Sequence, residues 1–453
     1  MRDDGLKAAA AATKILMSKL AKDLAVPDLA WNNADEGAAT LRKISWRLLP
    51  LIAVGYGLAT LDRNNIGLAA LQMNRDLHFS ASTYGLGAGL FSIGYALCEI
   101  PSNLLLYRFG ARRWIARIML TWGILAMGMA LIKSPLHLYV MRFLLGMAEA
   151  GFFPGIAYYL SQWFPARMRA RAISRFYVAA PIAAILSGVL AGPLLNLGGT
   201  LGVSGWQWLF LIEGLPPVLL SIVFLIHLPN DPGEAKWLSL SERTWLADQL
   251  EKDAPRQGRH TSLAQTFLDP RIWQLGLLAF CLLTCGYSYL LTAPIILQQV
   301  TGFSARNVGF LVAVNGLASA IGMVLNAMHS DRGTERCWHI AVPALVMAGA
   351  FVVSGLSLNP IWVISGLGVA ITSLYCTQGV LYTIPSSFLA GKSAAAGMAT
   401  VTTMGILGGF AGPAWMGWMR DVTGSYQVGL MSMAVPSLAG ALIILSFRSK
   451  NIS

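Results

Sequence analysis

Six charged residues, Asp62, Arg63, Glu99, Arg142, Glu149 and Glu213, each interrupt a long apolar run. A charge surrounded by hydrocarbon costs several kcal/mol unless it is paired or meets water, so such residues mark a proton, ion or substrate path by default. Arg142 and Glu149 stand seven residues apart, about two helical turns, which puts both on one helix face with about 10 Å between them. Asp62 and Arg63 are neighbours and point about 100° apart, so one can face a central path while the other faces an adjoining helix. Burial and a nearby cation act on a carboxyl in opposite directions, so a negatively charged substrate arriving at the cation can change the acid's protonation. On this reading Asp62 and Glu149 exchange protons, and Arg63 and Arg142 attract a substrate carboxylate. The structural alternative is a static ion pair tying two helices together. Glu99, near the end of its run, fits a structural bond to a loop better than a transport role, and Glu213, following Trp206, Gln207 and Trp208, is open between the two. None of the six histidines reaches the middle of a run.

The elements that must hold these residues follow from composition. Of 453 residues 55% are hydrophobic and 12% charged, against about 25% charged in an ordinary soluble protein. That excludes a water-soluble globule and a disordered chain, and the 46 glycines show no collagen period. The net charge of +12 sits in short loops beside the apolar runs, a pattern of membrane orientation and not of a nucleic-acid groove. A helix needs about 20 apolar residues to cross the bilayer. Twelve such spans are predicted, at residues 44–64, 82–106, 114–132, 136–162, 176–197 and 206–228, then at 272–298, 307–328, 337–357, 361–387, 394–419 and 426–447. Ser357, Leu358, Asn359 and Pro360 supply the turn that splits the uncharged stretch 337–391 into two crossings.

The chain is therefore expected to be an all-α membrane protein: an N-terminal segment 1–43, six crossings over 44–228, a linker 229–270, six crossings over 271–447 and a tail 448–453. Loop cations such as Arg108, Arg112, Arg113, Arg169, Arg175, Arg332, Arg336 and Lys450 gather on one side, which predicts both termini in the cytoplasm of a cell whose plasma (inner) membrane the chain spans. Asp62 and Arg142 come to matching depths and are expected to neutralise each other, while Glu149 lies deeper and depends on Arg63 or a proton. In the linker, Ser239 and Glu242 have capping-box spacing ahead of Trp245, Leu246 and Leu250, which predicts a short amphipathic helix, either against the membrane face or solvated.

An energy source is found by elimination. Gly391, Lys392 and Ser393 resemble the end of a phosphate-binding loop, but Ser386 occupies the place of its first glycine. Gly85, Gly87 and Gly89 fail a dinucleotide fingerprint at Leu90 and suit close helix contact instead. The five cysteines lack metal-type pairing and read as packing residues, and no nucleophile with a base is visible, so neither cofactor, metal nor enzymatic chemistry is expected. Ion-coupled or facilitated transport remains. In the second half Tyr287, Tyr289, Asn315, Gln378 and Tyr382 are the scarce polar groups that could contact cargo, with interhelical hydrogen bonding as the alternative for each.

Several stretches carry a family resemblance: Leu61-Asp62-Arg63-Asn64-Asn65-Ile66-Gly67; Glu99-Ile100-Pro101-Ser102-Asn103 leading to Arg108-Phe109-Gly110-Ala111-Arg112-Arg113; Arg142-Phe143-Leu144-Leu145-Gly146 followed by Glu149-Ala150-Gly151-Phe152-Phe153-Pro154-Gly155; and, late in the chain, Gly408-Gly409-Phe410-Ala411-Gly412-Pro413. In order and spacing the chain resembles the anion:cation symporter branch of the major facilitator superfamily, over both halves. The resemblance implies two six-helix bundles around a central site that opens alternately to each side. It also implies proton handling by Asp62 and Glu149 with help from Arg63 and Arg142, a substrate-lining role for Tyr95, and gating by Arg108, Arg112, Asp331 and Arg332. The N-terminal half looks most similar to tartrate-type transporters. The implied activity is proton-coupled import of a small organic anion by a monomer whose partners are a carboxylate, protons and the lipid bilayer, with no nucleic acid. An exporter or exchanger of amphipathic compounds, or a membrane receptor that binds an anion without moving it, are the alternatives. Two positions depart from the family pattern: Tyr107 stands before Arg108 where an Asp is usual, and Thr402, Thr403 and Ile406 stand where many relatives carry Asn and Ser.

Overall fold

The computed structural model describes residues 34–252, 268–333, 335–385 and 391–451. Every regular element among them is helical. The first half contains α1 (Ala34–Asp76), α2 (Ala81–Phe109), α3 (Ala111–Gly128), α4 (Pro135–Glu149), α5 (Phe152–Ser161), α6 (Ala166–Tyr177), α7 (Ala179–Leu195) and α8 (Gly205–His227). The linker helix is α9 (Leu240–Lys252). The second half contains α10 (Pro270–Thr301), α11 (Ala305–Gly333), α12 (Trp338–Leu356), α13 (Pro360–Leu381), α14 (Gly391–Thr423), α15 (Gln427–Ser432) and α16 (Ala434–Asn451).

Local chemistry sets the boundaries. Ser80 caps α2 by accepting the Thr83 N–H, and Ser134 caps α4 by accepting that of His137. Asn359 caps α13 by accepting the Ile361 N–H, with Pro360 in its first turn, so the turn expected at 357–360 forms through a side-chain cap followed by a residue with no N–H to satisfy. Among the described residues ten helices are long and apolar enough to cross a membrane. With α7 and α14 they make the twelve crossings of two six-helix bundles, α4 and α5 serving as one crossing and α15 and α16 as another.

The fourth crossing is not the continuous helix expected over 136–162. It breaks at Ala150 and Gly151, where Gly151 takes a φ of +85°. A side chain there would be strained, and its Cβ would collide with the Ser102 hydroxyl. The break falls immediately after Glu149.

In the first bundle α1 packs on α7 and α8, α2 on α4, and α3 on α8; in the second, α10 packs on α14 and α16, and α13 on α11 and α12. The bundles meet through α2 with α14, α7 with α11 and α1 with α10. One end of the molecule carries the 110 turn and α9 and is called the linker face; the other carries the 77–80 and 357–359 turns and is called the far face. The seam is closest toward the far face, where small residues bring backbones into contact: Gly85 against Pro413, Gly188 against Gly309, and Gly417 against Ala81. There the Asp421 carboxylate accepts the N–H groups of Ala81 (3.2 Å) and Ser82 (2.9 Å), and the Tyr84 hydroxyl donates to the Leu291 carbonyl at 2.7 Å.

The linker helix forms where its capping box predicts. Ser239 N–H donates to Glu242 at 2.7 Å, and Glu242 N–H donates to the Ser239 hydroxyl at 3.2 Å. It docks on the start of α1: Lys43 Nζ meets Glu242 Oε2 at 2.8 Å, Trp245 lies over Gly37, and Leu246 is fully buried.

Candidate functional site

The charged residues converge in the middle of the first bundle. Glycine fixes the geometry between α2 and α4: a Cβ on Gly94 would collide with the Phe143 carbonyl and one on Gly146 with the Phe91 carbonyl, so the two helices run backbone against backbone. That contact sets Phe91 and Tyr95 of α2 beside Arg142 and Glu149 of α4. Arg142 Nη2 donates to the Ala88 carbonyl at 3.1 Å, and its guanidinium lies 4.8 Å from the centre of the Phe91 ring. Arg63 of α1 forms an ion pair with Glu149 and stands 5.3 Å from the Tyr95 ring and 5.8 Å from that of Phe91. The two partners differ in access: the Arg63 side chain is 23% exposed, that of Glu149 0%.

The expected ion pair between Asp62 and Arg142 does not form. Among the described residues no cation lies within 4.0 Å of Asp62, although the charges still interact at longer range. The close contact of α2 with α4 explains this, because it commits the Arg142 guanidinium to the Ala88 carbonyl and the Phe91 ring of α2, away from α1. Asp62 instead lies against the Trp122 indole of α3, and one carboxylate oxygen has no hydrogen-bond partner. Asn65 and Glu213 stand nearby and are described further below.

Glu99 makes a bond of a different kind from the loop contact expected of it. Its carboxylate accepts the Thr403 hydroxyl of α14 at 2.8 Å, which joins the two bundles on the linker-face side of Tyr95.

The second bundle contributes Tyr287, half-buried, whose hydroxyl lies within electrostatic range of Arg63, Glu149, Arg142 and Glu99. Asn315 donates to the Tyr289 hydroxyl at 3.0 Å, a bond between α11 and α10. Gln378 and Tyr382 are half-buried at the linker-face end of α13. Around the 110 turn, Arg112 Nη1 lies 3.8 Å from Glu234 of the linker, and its N–H donates to Asn230 at 3.1 Å. Arg108 lies 5.6 Å from the Phe109 ring, and the Tyr107 ring packs on Tyr158 at 4.3 Å. Arg332 is exposed, and the Asp331 side chain is outside the described residues. Trp122 and Asn65 were not singled out from sequence as site residues. Asn65 had a signal, its place three residues after Asp62 in the same helix; Trp122 had none, because an indole in an apolar run is ordinary.

Residues 52–413 match the profile of the "Major Facilitator Superfamily". A protein of Agrobacterium vitis named "Putative tartrate transporter" is 44% identical over 414 residues, 91% of this chain and 92% of that protein. A "Quinolone resistance transporter" of Acinetobacter baumannii is 39% identical over 405 residues, covering 89% of this chain and 93% of its own. Among solved structures, a D-xylose-proton symporter superposes with a TM-score of 0.72 at 15% identity, covering 89% of this chain and 97% of the other, a likeness of fold.

Proposed function

The chain belongs to the major facilitator superfamily and is a multi-pass membrane transporter, not an enzyme; from that premise we propose that it imports a small organic anion together with protons, by alternating access. The observation that carries this reading is the Arg63–Glu149 pair, a wholly buried acid held by a cation that is itself partly accessible. A substrate carboxylate reaching Arg63 competes with Glu149 for the guanidinium. An acid that loses its counter-ion in a buried site is neutralised most cheaply by a proton, so substrate and proton load together. Asp62, without a cation in contact, is the second proton-exchanging group. Arg142, Tyr95 and Tyr287 line the anion's position, with Asn315, Gln378 and Tyr382 offering polar contacts from the other bundle.

The far-face seam supports a resting state closed on that side. The linker face is the cytoplasmic one on the loop-cation argument, with both termini inside and the inner membrane as the location. Arg108, Arg112, Asp331 and Arg332 border the gate on that face. If protons entering outnumber the substrate's negative charges, each net positive charge moved inward gains about 2.3 kcal/mol per 100 mV. A tartrate-like or other sugar-acid carboxylate is the substrate class, supported by the Agrobacterium vitis relatives.

Uptake into proteoliposomes under an imposed pH gradient tests the reading, with a panel of tartrate, aldonates, aldarates and aromatic acids. Wild-type protein accumulates at least one of them, and Asp62→Asn and Glu149→Gln abolish pH-driven accumulation. Undiminished accumulation in both variants removes the coupling assignment. The Acinetobacter baumannii relative motivates a second reading, export of amphipathic compounds; pH-driven movement of a fluoroquinolone without competition by any carboxylate would favour it.

A further inference from the structure

We propose that Glu213 and Asp62 form a carboxylic dyad, braced by Asn65, that keeps one proton resident and exchanges a second. The inference deepens the proton-exchanging role given to Asp62 above and rests on it. Glu213 is 5% exposed on α8, and neither of its oxygens has a hydrogen-bond partner. Its level is fixed by the contact of Gly123 with Gly214, where a Cβ on Gly123 would stand 2.9 Å from the Gly214 carbonyl. Glu213 therefore lies beside the Trp122 level of α3, the same indole that lies against Asp62.

The surroundings can be taken helix by helix. From α1 come Asp62, 3% exposed, and Asn65, 1% exposed; Asn65 stands against Glu213, yet its amide oxygen and nitrogen both lack partners. From α3 comes Trp122, fully buried. The nearest cation on α3 is Arg117, five residues from Trp122, about 7.5 Å along the axis, and its guanidinium lies 3.9 Å from the centre of the Trp114 ring. Residues 179–195 of α7 contain no titratable group. From α4 the Glu149 carboxylate, paired with Arg63, and the Arg142 guanidinium both act on Asp62 only at longer range, the first repelling its charge and the second attracting it. Among the described residues no cation lies within 4.0 Å of Glu213.

Two ionised carboxylates in such a place would carry both desolvation costs and repel each other, so the cluster always holds at least one proton. The unpartnered amide supplies the brace: a protonated Glu213 donates to Asn65 Oδ1, and Asn65 Nδ2 donates to the Asp62 carboxylate, which satisfies every orphaned atom of the amide. When Asp62 takes up the exchanged proton an O–H bond forms on its carboxylate, and the same bond breaks on release. Glu213 stays neutral through both. In the singly protonated state the bond donated by Glu213 runs through the Asn65 amide to an ionised Asp62, so the resident proton stays on Glu213.

Infrared spectroscopy of the reconstituted full chain tests this without requiring transport. At alkaline pH, where Asp62 has released the exchanged proton, wild-type protein still shows the C=O stretch of a protonated buried carboxylic acid. The band survives Asp62→Asn, disappears in Glu213→Gln, and persists at a displaced frequency in Glu213→Asp, a variant that keeps the argument open if the glutamine variant folds poorly. A band absent from wild type at that pH, or retained in Glu213→Gln, overturns the dyad and leaves Glu213 a scaffold acid. Failure of the proton-coupling reading shows elsewhere, as unchanged pH-driven accumulation in Asp62→Asn.

Discussion

Replacing Arg63 by Met tests the central ion pair as a physical object, independently of any substrate. The change keeps most of the aliphatic stem and removes the guanidinium, leaving Glu149 at 0% exposure with no counter-ion in contact. Breaking a buried pair from one side costs about 3–5 kcal/mol, whereas replacing both partners by neutral groups is often near neutral. The reverse substitution, Glu149→Gln, is milder, about 1.5–3 kcal/mol, the scale of a hydrogen bond to a charged group. Arg63 then keeps 23% of its side chain accessible and remains near the Tyr95 and Phe91 rings. For a cooperative unit of 150–250 residues, each kcal/mol moves the midpoint by about 2–4 °C, so Arg63→Met should lower it by roughly 6–20 °C. The 14 tryptophans make intrinsic fluorescence in detergent a sufficient assay. The double variant Arg63→Met/Glu149→Gln should recover most of the loss. If it melts as low as the sum of the two single changes, the pair contributes no interaction energy and the reasoning fails.

Three further outcomes follow from features away from that pair. Gly151→Ala should destabilise by about 1–3 kcal/mol, because it forces a left-handed backbone onto a residue with a Cβ and drives that atom into Ser102; a stability equal to wild type in chemical unfolding would show that the break does not need glycine. Gly188→Val overpacks the seam against Gly309, a penalty of about 1–3 kcal/mol on the far-face-closed state. Spin labels at Leu197 and Phe303 should then report a longer separation, and an unchanged distance would contradict the seam. The Lys43 ammonium and the Ser239 N–H hold the Glu242 carboxyl below its usual range. Its contribution is thus complete above the ordinary carboxylate pKa of about 4.3 and is lost only as pH falls through the lower folded value. Docking of α9, followed by Trp245 fluorescence, should stay constant between about pH 5 and 8 and weaken only in stronger acid, with Lys43→Ala costing no more than about 1 kcal/mol. Release of α9 near pH 6 would refute the assignment.

Much of the architecture was legible because a bilayer imposes it. Uncharged stretches of sufficient length have little choice but to cross, and the turn read at residues 357–360 is where the chain reverses, with Asn359 capping the helix that follows. The pairing inside the first bundle was legible only in part. Depth along the helices left Glu149 to Arg63 or to a proton, and the structure supplies Arg63; the same argument paired Arg142 with Asp62, and that pair does not form. The neighbour Arg142 faces was decided by Gly94 and Gly146, whose meaning depends on α2 and α4 being in contact, a fact about the partner helix and not about the local sequence. The break after Glu149 was hidden for a similar reason: a lone glycine in an apolar run usually continues the helix. Glu99 read as a loop contact because its partner, Thr403, lies 304 residues away in the other bundle.

The ring of Tyr107 rests on Tyr158, a neighbour within its own bundle. Rings in such tilted contact gain their attraction from dispersion and quadrupoles, which dissolved ions do not screen, while a carboxylate clasp weakens as ionic strength rises. The fastener at this position is therefore indifferent to salt, and the ease with which this corner loosens should be the same in brackish and in dilute surroundings.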